Sequence, residues 1–192
     1  MNITGLTGHS GSGKTTVAHI LTKLGFYHID CDKTVHNDVY KNIDVLNKIA
    51  SEFGKDYVEN GTLNRKKLGS LIFSDKDAYK KLMDLIHDDI IKAVEAEISK
   101  NSDKHILLDA PTLFEFGMQD RCDRIIGVIS HNNIERICAR DNITVEQAKL
   151  RLANQKTADF FKSHCHIIIE NDGDLKSLEQ NVTKIAKEIL KG

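Results

Sequence analysis

Near the start of the chain, the stretch Gly8-His9-Ser10-Gly11-Ser12-Gly13-Lys14-Thr15 matches the phosphate-loop pattern G-x-x-x-x-G-K-[ST] at every fixed position. Glycines let a backbone curl around an anion so that successive N–H groups point inward, and the lysine adds a cation. Residues 3–7 before the loop, Ile3-Thr4-Gly5-Leu6-Thr7, predict a short buried strand, and residues 16–21 after it predict a helix. The order of strand, loop and helix therefore favours an α/β phosphate-binding core over an accidental glycine-rich turn.

The complete phosphate-loop motif predicts ATP with Mg²⁺ as the ligand. The context agrees, because the helix behind the loop directs its positive N-terminal end at the phosphates. Lys14 is expected to reach the outer phosphates, and the hydroxyl of Thr15 is expected to bind the metal ion. The loop residues that we predict to hold the nucleotide are Gly11, Ser12, Gly13, Lys14, Thr15 and Thr16.

The composition excludes several classes of protein. The 27 basic and 28 acidic residues are well mixed along 192 residues, so no basic face for nucleic acid is expected. The four cysteines show no C-x-x-C spacing, and the N-terminus has no export signal, which together predict a protein of the reducing cytoplasm. No apolar run approaches the roughly 18 residues that a membrane-spanning helix needs. We therefore expect a soluble globular protein without a membrane partner.

The second predicted strand, Phe26–Ile29, ends in Asp30-Cys31-Asp32. On an extended backbone, residues two apart point to the same side, so both carboxylates would project toward the ligand crevice at the carboxyl end of a parallel sheet. The alternative is that both aspartates are helix caps or solvent-exposed groups at a strand end.

Residues 33–103 have a helical rather than a strand pattern, with apolar residues at helical spacing from Ile43 to Ile98. This predicts an inserted helical subdomain. Asn60-Gly61 is a tight-turn dipeptide, and Ser74 is placed to cap the helix that follows it. His87 is either a ligand-binding residue or a polar member of a helix flank, and composition favours the second role.

The third and fourth predicted strands are His105–Asp109 and Ile125–Ile129. An apolar strand that ends in an acid is typical of phosphate-loop enzymes, where that acid is associated with Mg²⁺, so Asp109 is a second candidate for the metal site. Pro111 marks the exit of the strand and permits a helix to begin at or just after it.

Residues 131–162 predict a mobile helical lid. Arg136 and Arg140 are four residues apart and therefore share one helix face, and Thr144 with Gln147 forms a capping box for the next helix. Guanidinium groups suit phosphate recognition, although arginines on a helix also serve as an ordinary solvated face. A fifth strand is predicted at Cys165–Ile169, followed by an amphipathic closing helix.

These residues resemble the dephospho-CoA kinase family along essentially the whole chain. The matching segments are the phosphate loop, Ile29-Asp30-Cys31-Asp32, Phe53-Gly54 with the run from Asn60 to Leu68, Pro111-Thr112-Leu113-Phe114-Glu115, the lid residues Arg136, Arg140, Arg151 and Gln155, and Asn171 after the last strand. His9-Ser10 stands where the family commonly has Gly-Ile, at variable positions of the loop.

The resemblance implies transfer of the γ-phosphate of ATP to the ribose 3′-hydroxyl of dephospho-CoA, the last step of coenzyme A synthesis. It implies catalytic roles for Lys14, Asp32 as proton acceptor and Arg140, and it adds Arg136 and Asn171 to the nucleotide site. The implied acceptor-binding residues are Asp32, Arg65, His87, Pro111, Leu113, Glu115 and Arg140.

The fold expected from these segments is an α/β phosphate-loop kinase core with a five-stranded parallel sheet flanked by helices, an inserted helical subdomain and a short helical lid. The core would comprise residues 1–32, 104–130 and 163–192, the acceptor-binding subdomain residues 33–103, and the lid residues 131–162. A GTPase switch is disfavoured, because neither an Asp-x-x-Gly after the third strand nor an Asn/Thr-Lys-x-Asp for guanine is found. A kinase for another small acceptor, such as a nucleoside monophosphate, stays open.

Overall fold

The structure, a computed structural model, describes residues 2–191 apart from the side chain of Phe73. It divides into two compact units, one formed by the residues up to Ile29 and from Asn101 onward, and the other by Asp30–Lys100. We call them the core unit and the inserted unit. The inserted unit begins at residue 30 and ends at residue 100, where the sequence predicted 33 and 103, and the predicted lid lies within the core unit.

The secondary structure follows the predicted alternation of strands and helices. In chain order the first elements are β1 (Asn2–Gly8), α1 (Lys14–Lys23), β2 (Tyr27–Asp30), α2 (Cys31–Thr34), a π-helical turn (Val35–Val39), α3 (Ile43–Phe53), a 3₁₀ turn (Lys55–Tyr57), β3 (Val58–Glu59), β4 (Thr62–Leu63), α4 (Arg65–Ser74) and α5 (Lys76–Lys100). They are followed by β5 (His105–Asp109), a 3₁₀ turn (Met118–Arg121), β6 (Arg124–Ile129), α6 (Asn133–Asp141), α7 (Val145–Ala153), α8 (Ala158–His164), β7 (Ile167–Glu170) and α9 (Leu175–Lys191).

Within residues 2–191, the main sheet is five-stranded and parallel, in the order β2-β5-β1-β6-β7. The central strand β1 pairs with β5 through Leu6 opposite Asp109, and with β6 through Gly8 opposite Val128. Because parallel strands end at the same edge, the phosphate loop after β1 and the acid at the end of β5 lie together. The predicted sheet is confirmed.

One face of this sheet packs against α1 and α9. Their apolar faces and the sheet share one buried cluster, whose strand members include Leu6, Leu107 and Ile126. Alternation along β1 and β6 turns Gly5 and Gly127 to the opposite face, where an added Cβ would lie 2.8 Å from the Sγ of Cys122 and of Cys165, respectively. These two cysteines fill the space that the glycines leave, and burial raises the pKa of the Cys122 thiol to about 12.

The inserted unit contains α2 to α5 and a small antiparallel hairpin, β3 with β4. Its turn is Asn60-Gly61, with φ of 51° and 71°, so the predicted tight turn is confirmed. The cap predicted at Ser74 is wrong. Ser74 ends α4, and the Asp75 carboxylate instead accepts hydrogen bonds from the N–H groups of Asp77 and Ala78 at the start of α5.

Two boundaries in the core unit differ from the prediction. The helix that the sequence allowed at or just after Pro111 is not formed. The described residues that follow Pro111 form successive turns that lead into the 3₁₀ segment at Met118. The last strand begins at Ile167 rather than at Cys165, whose side chain covers Gly127. Among the described residues, no helix is both long and apolar enough to span a membrane.

Candidate active site

Gly11 and Gly13 of the phosphate loop occupy positions that only glycine fits. Gly11 and Gly13 have φ of 77° and 90°, which residues with a Cβ adopt at a cost. Space is also lacking, because an added Cβ at Gly11 would lie 2.6 Å from the Asn133 carbonyl oxygen, and one at Gly13 would lie 2.2 Å from Asn171 Nδ2. The loop is thus held closely between α6 and the segment that follows β7.

Helix α1 begins at Lys14, within this loop, with an N-terminus suited to an anion. No side chain in the described part of the chain caps the helix, so its first turn presents N–H groups and the positive end of the helix dipole. The buried Ser12 hydroxyl likewise has no hydrogen-bond partner among the described residues. Thr15 is exposed and Thr16 is half-buried in the same turn. Unused donors at a helix N-terminus form a phosphate-binding site.

Lys14, Asp109 and His28 meet at the carboxyl edge of the sheet. The Lys14 ammonium forms a hydrogen-bonded ion pair with Oδ1 of Asp109, and His28 Nε2 lies 3.0 Å from Oδ2 of the same carboxylate. The Asp109 side chain is only 8% exposed. Lys14 and His28 occupy its two carboxylate oxygens. The sequence predicted Lys14 and Asp109 here, whereas His28 was missed.

Asn171 supports the loop from the end of β7. Its buried side-chain amide donates from Nδ2 to the Ser12 carbonyl oxygen over 2.8 Å. Its own backbone N–H donates to Ile129 O over 2.9 Å, which ties it to the end of β6. The side chain predicted to contact the nucleotide therefore holds the backbone of the loop.

We expect Asn171→Asp to weaken ATP binding. The substitution keeps the shape of the side chain but replaces the donor by a carboxylate that faces the Ser12 carbonyl oxygen. The Kd of ATP should rise roughly 10-fold or more, because the hydrogen bond is lost and the new carboxylate repels the Ser12 carbonyl oxygen. A 10-fold change corresponds to about 1.4 kcal/mol of binding free energy. Calorimetric titration with ATP measures it. Asn154→Asp is the matched control, because the exposed Asn154 amide also donates to a backbone carbonyl, that of Leu150. Equal affinities of both variants would show that the Asn171 contact is dispensable.

Two arginines of the predicted lid share one carboxylate at the α6–α7 junction. Asp141 accepts from Arg140 Nε at 2.7 Å and from Arg140 Nη2 at 2.8 Å, and it also pairs with Arg151. These arginines hold the pKa of Asp141 at about 2, well below its usual value. Arg140 Nη2 also lies 3.3 Å from Ser10 Oγ, which brings this guanidinium to the phosphate loop.

The first variable residues of the loop contact the α8 region. The His9 ring packs edge-on against Phe161, with centroids 5.0 Å apart, and burial lowers the pKa of His9. The Ser10 N–H donates to Gln155 Oε1 over 2.9 Å. The sequence associated Gln155 with the lid by resemblance, but neither the His9–Phe161 contact nor the Ser10–Gln155 bond has a local sequence signal.

Arg136 borders the same loop from α6. A Cβ placed on Gly13 would lie 3.8 Å from Arg136 Nη1, so the guanidinium lies beside the last glycine of the loop. Arg136 and Arg140 thus both lie near the phosphate loop, on the helix where the sequence placed them. The guanidinium groups of Arg136 and Arg140, together with the unused N–H donors at the start of α1, suit a highly charged phosphate ligand.

The segment after β5 has one exposed acid and one core residue. The Pro111 carbonyl oxygen accepts from the Thr7 hydroxyl at 3.3 Å, and Glu115 is exposed. The Leu113 side chain is completely buried, with Cδ2 3.1 Å from the position of a Cβ on Gly5. Leu113 therefore supports this segment from within the core, whereas the sequence assigned it to the acceptor site.

In the inserted unit, the expected pair of parallel carboxylates is not formed. Asp30 is the N-cap of α2 and accepts from the Lys33 N–H over 3.1 Å, while Asp32 lies exposed in the first turn of that helix. The extended geometry ends at Asp30 because its side chain satisfies a helix N–H. Only Asp30 retains an extended backbone, whereas Asp32 is already helical, so the two residues do not form the expected pair on one strand.

The other two predicted acceptor residues of the inserted unit lie on α4 and α5. Arg65 Nη2 donates to the His36 carbonyl oxygen over 3.2 Å, which ties the start of α4 to the π-helical turn. The His87 Nδ1 atom lies 3.2 Å from Asp88 Oδ1 on α5, where both side chains reach solvent.

Comparisons with known proteins place the chain in a kinase family. The family model described as Dephospho-CoA kinase matches residues 2–177. A dephospho-CoA kinase of Fusobacterium nucleatum is 35% identical over 190 residues, covering 97% of this chain and 98% of the relative. Among solved structures, a dephospho-CoA kinase from Campylobacter jejuni is 29% identical with a TM-score of 0.75, covering 100% of this chain and 98% of that one. A Thermus thermophilus protein of 27% identity superposes with a TM-score of 0.81, and 97% of each chain is covered. The chain belongs to the dephospho-CoA kinase family.

Proposed function

We propose that the chain transfers the γ-phosphate of ATP to the ribose 3′-hydroxyl of dephospho-CoA, giving coenzyme A and ADP in the cytoplasm. The observation that carries the proposal is the loop with Lys14 at the N-terminus of α1, with Arg136 and Arg140 beside it, in a chain of this family. Phosphoryl transfer requires little covalent help from a protein, so positioning and charge stabilisation supply most of the acceleration.

On the nucleotide side, the N–H groups where the loop enters α1 bind the β- and γ-phosphates. Lys14 exchanges its partner Asp109 for the outer phosphates, since a triphosphate offers more negative charge than one carboxylate. Arg136 borders the loop at Gly13 and adds a further positive charge on this side. Asn171 keeps the Ser12 carbonyl oxygen engaged, so that the loop presents N–H groups rather than carbonyl oxygens to the phosphates.

The residues present fit a Mg²⁺ ion that arrives with the nucleotide. Mg²⁺ prefers oxygen ligands and usually keeps several waters, and Thr15 and Asp109 offer a hydroxyl and a carboxylate at one edge of the sheet. In the described part of the chain, no group of three or more His, Cys, Asp or Glu side chains is arranged to hold a metal by itself. A bound Mg²⁺ would neutralise charge on the β- and γ-phosphates.

On the acceptor side, Asp32 accepts the proton of the attacking hydroxyl. It is exposed in the first turn of α2, so its carboxylate is accessible to a ligand. On the inserted unit, we assign Arg65 and His87 to binding of the acceptor. On the core unit, Pro111 and Glu115 are the candidates for this role. Leu113 contributes through the shape of this segment, because its own side chain is buried.

Residues 131–162 act as the lid that closes over the transferring group. Closure would bring Arg140 to the γ-phosphate and exclude water, which otherwise competes with the acceptor hydroxyl. Asp141 accepts hydrogen bonds from the Arg140 guanidinium, whose Nη2 also lies 3.3 Å from Ser10 Oγ. Arg140 therefore lies beside the phosphate loop, and closure has to move it only the remaining distance to the γ-phosphate.

We expect Arg140→Ala to lower kcat about 10²–10³-fold, the usual loss when one group that stabilises developing charge is removed. The KM of the acceptor should change much less, because this charge develops mainly in the transition state. Steady-state kinetics with both substrates varied measure the two effects separately. Lys149→Ala, an exposed cation on α7, is the control for a general loss of positive charge. If Arg140→Ala raises only KM, the residue is a ground-state phosphate clamp.

A coupled assay of ADP release tests the reaction itself. Purified protein with ATP and Mg²⁺ is given dephospho-CoA, AMP or no acceptor. We expect turnover with dephospho-CoA to exceed both other rates by at least about 10²-fold, because a site that binds an acceptor through its own polar groups rejects one that leaves them unpaired. Faster turnover with AMP would favour a nucleoside monophosphate kinase instead.

A further inference from the structure

His28 is a polar side chain of the core unit to which no role has been assigned above. It lies on β2, one strand beyond β5 in the sheet order, and its side chain is 25% exposed. Its Nε2 lies 3.0 Å from Oδ2 of Asp109, while Lys14 occupies Oδ1. The carboxylate is thus held from two sides by residues of two different elements.

The two contacts differ in what happens to them when a nucleotide binds. Lys14 is required at the outer phosphates, so Oδ1 of Asp109 loses its cation at that moment. A nearly buried carboxylate that loses one partner is costly unless its remaining hydrogen bonds persist. His28 comes from a strand rather than from the phosphate loop, so its hydrogen bond does not depend on the position of Lys14.

We propose that His28 is a positioning residue for phosphate transfer: its Nε2–H donates to Asp109 Oδ2 and keeps that carboxylate in one orientation while Lys14 moves from Asp109 to the nucleotide phosphates. The inference rests on the proposed function, because it assumes that Lys14 leaves Asp109 for a nucleotide. It adds a residue outside the phosphate loop and outside the lid that prepares Asp109 for its place beside bound Mg²⁺.

The essential property of His28 is then its Nε2–H donor rather than its bulk. A glutamine places an amide N–H₂ near the position of the histidine Nε2, whereas a leucine of similar size has no donor. His28→Gln and His28→Leu therefore separate a positioning role from a space-filling one. His105 at the opposite end of β5 is the matched control, since it is also half-buried in this sheet but distant in register from Asp109.

The test compares ATP affinity with and without Mg²⁺, together with kcat and KM, for the wild type, both His28 variants, His105→Gln and His105→Leu. In His28→Leu, the gain in ATP affinity that Mg²⁺ produces should fall several-fold and kcat should fall about 10-fold, the effect of losing one hydrogen bond to a charged group. His28→Gln should retain both quantities within about threefold of the wild type. The His105 variants should change neither quantity.

Two results would overturn the inference. One is a His28→Leu protein with unchanged magnesium-dependent affinity and unchanged kcat. The other is an equal loss in His28→Gln and His28→Leu, which would assign His28 to packing. The affinity measurement needs no acceptor, so it decides the role of His28 even if the wild type fails to phosphorylate dephospho-CoA and the proposed function falls.

Discussion

Lys14→Ala is expected to abolish phosphate transfer, with kcat lowered by about 10³-fold or more, the scale on which single charge-stabilising groups act in this chemistry. The lysine lies at the first position of α1, where the loop and the helix N-terminus direct their donors at one anion. No neighbouring cation replaces it within the loop itself, since Lys14 is its one basic residue besides the partly buried His9. ADP release with dephospho-CoA as acceptor measures the loss.

The Lys14→Ala protein should remain folded, because Asp109 keeps its hydrogen bond to His28 and the apolar core is unchanged. Cooperative thermal unfolding checks this point. Lys23→Ala is the matched control, since this exposed lysine lies in the last turn of the same helix, and its kcat should equal that of the wild type. Near-normal ADP formation by a folded Lys14→Ala protein would contradict the assignment of the loop.

Asp32→Asn is the second large effect that we expect. The substitution keeps the size of the side chain but removes the proton acceptor, so kcat should fall by roughly 10²–10⁴-fold, the usual loss of a general base. The Kd of ATP should stay within about twofold of the wild type, because the phosphates are held by the loop and its neighbours. Single-turnover kinetics and calorimetric titration with ATP measure the two quantities.

Asp30→Asn is the control that shares the same helical turn. Asp30 caps α2, and asparagine caps helices about as well as aspartate, so this variant should retain both stability and most of its activity. Asp30→Ala should lose about 1 kcal/mol of stability through the missing cap. A dead Asp30→Asn protein beside an active Asp32→Asn protein would show that the base is the other carboxylate.

The parts that the sequence predicted well have strong local signals. The run His105–Asp109 has three consecutive apolar residues before its final acid and forms β5 over those same residues. Thr144 and Gln147 satisfy each other in the capping box of α7, and Asn60-Gly61 forms the expected hairpin turn. In each case, neighbouring residues supply the chemistry that determines the local backbone.

Other features depend on competition between two local structures or on contacts between residues that are far apart in the sequence. For Asp30-Cys31-Asp32, the sequence left open either a pair of carboxylates on a strand or helix caps and solvent-exposed groups, and the structure has the second arrangement, with Asp30 as the cap of α2. The hydrogen bond from Ser10 to Gln155 spans 145 residues, and that from His28 to Asp109 spans 81, so no periodicity reports them. These contacts arise only when the sheet brings strand ends and lid helices to one edge.

A competition experiment tests the identity of the acceptor most directly. The protein is incubated with ATP, Mg²⁺ and equal concentrations of dephospho-CoA and AMP, and the products are identified by mass spectrometry and by ³¹P NMR. We predict that dephospho-CoA gains a single phosphoryl group on its ribose 3′-oxygen while AMP stays unchanged. Phosphorylated AMP with unmodified dephospho-CoA, or ADP formation without phosphorylation of either acceptor, would contradict the proposed reaction.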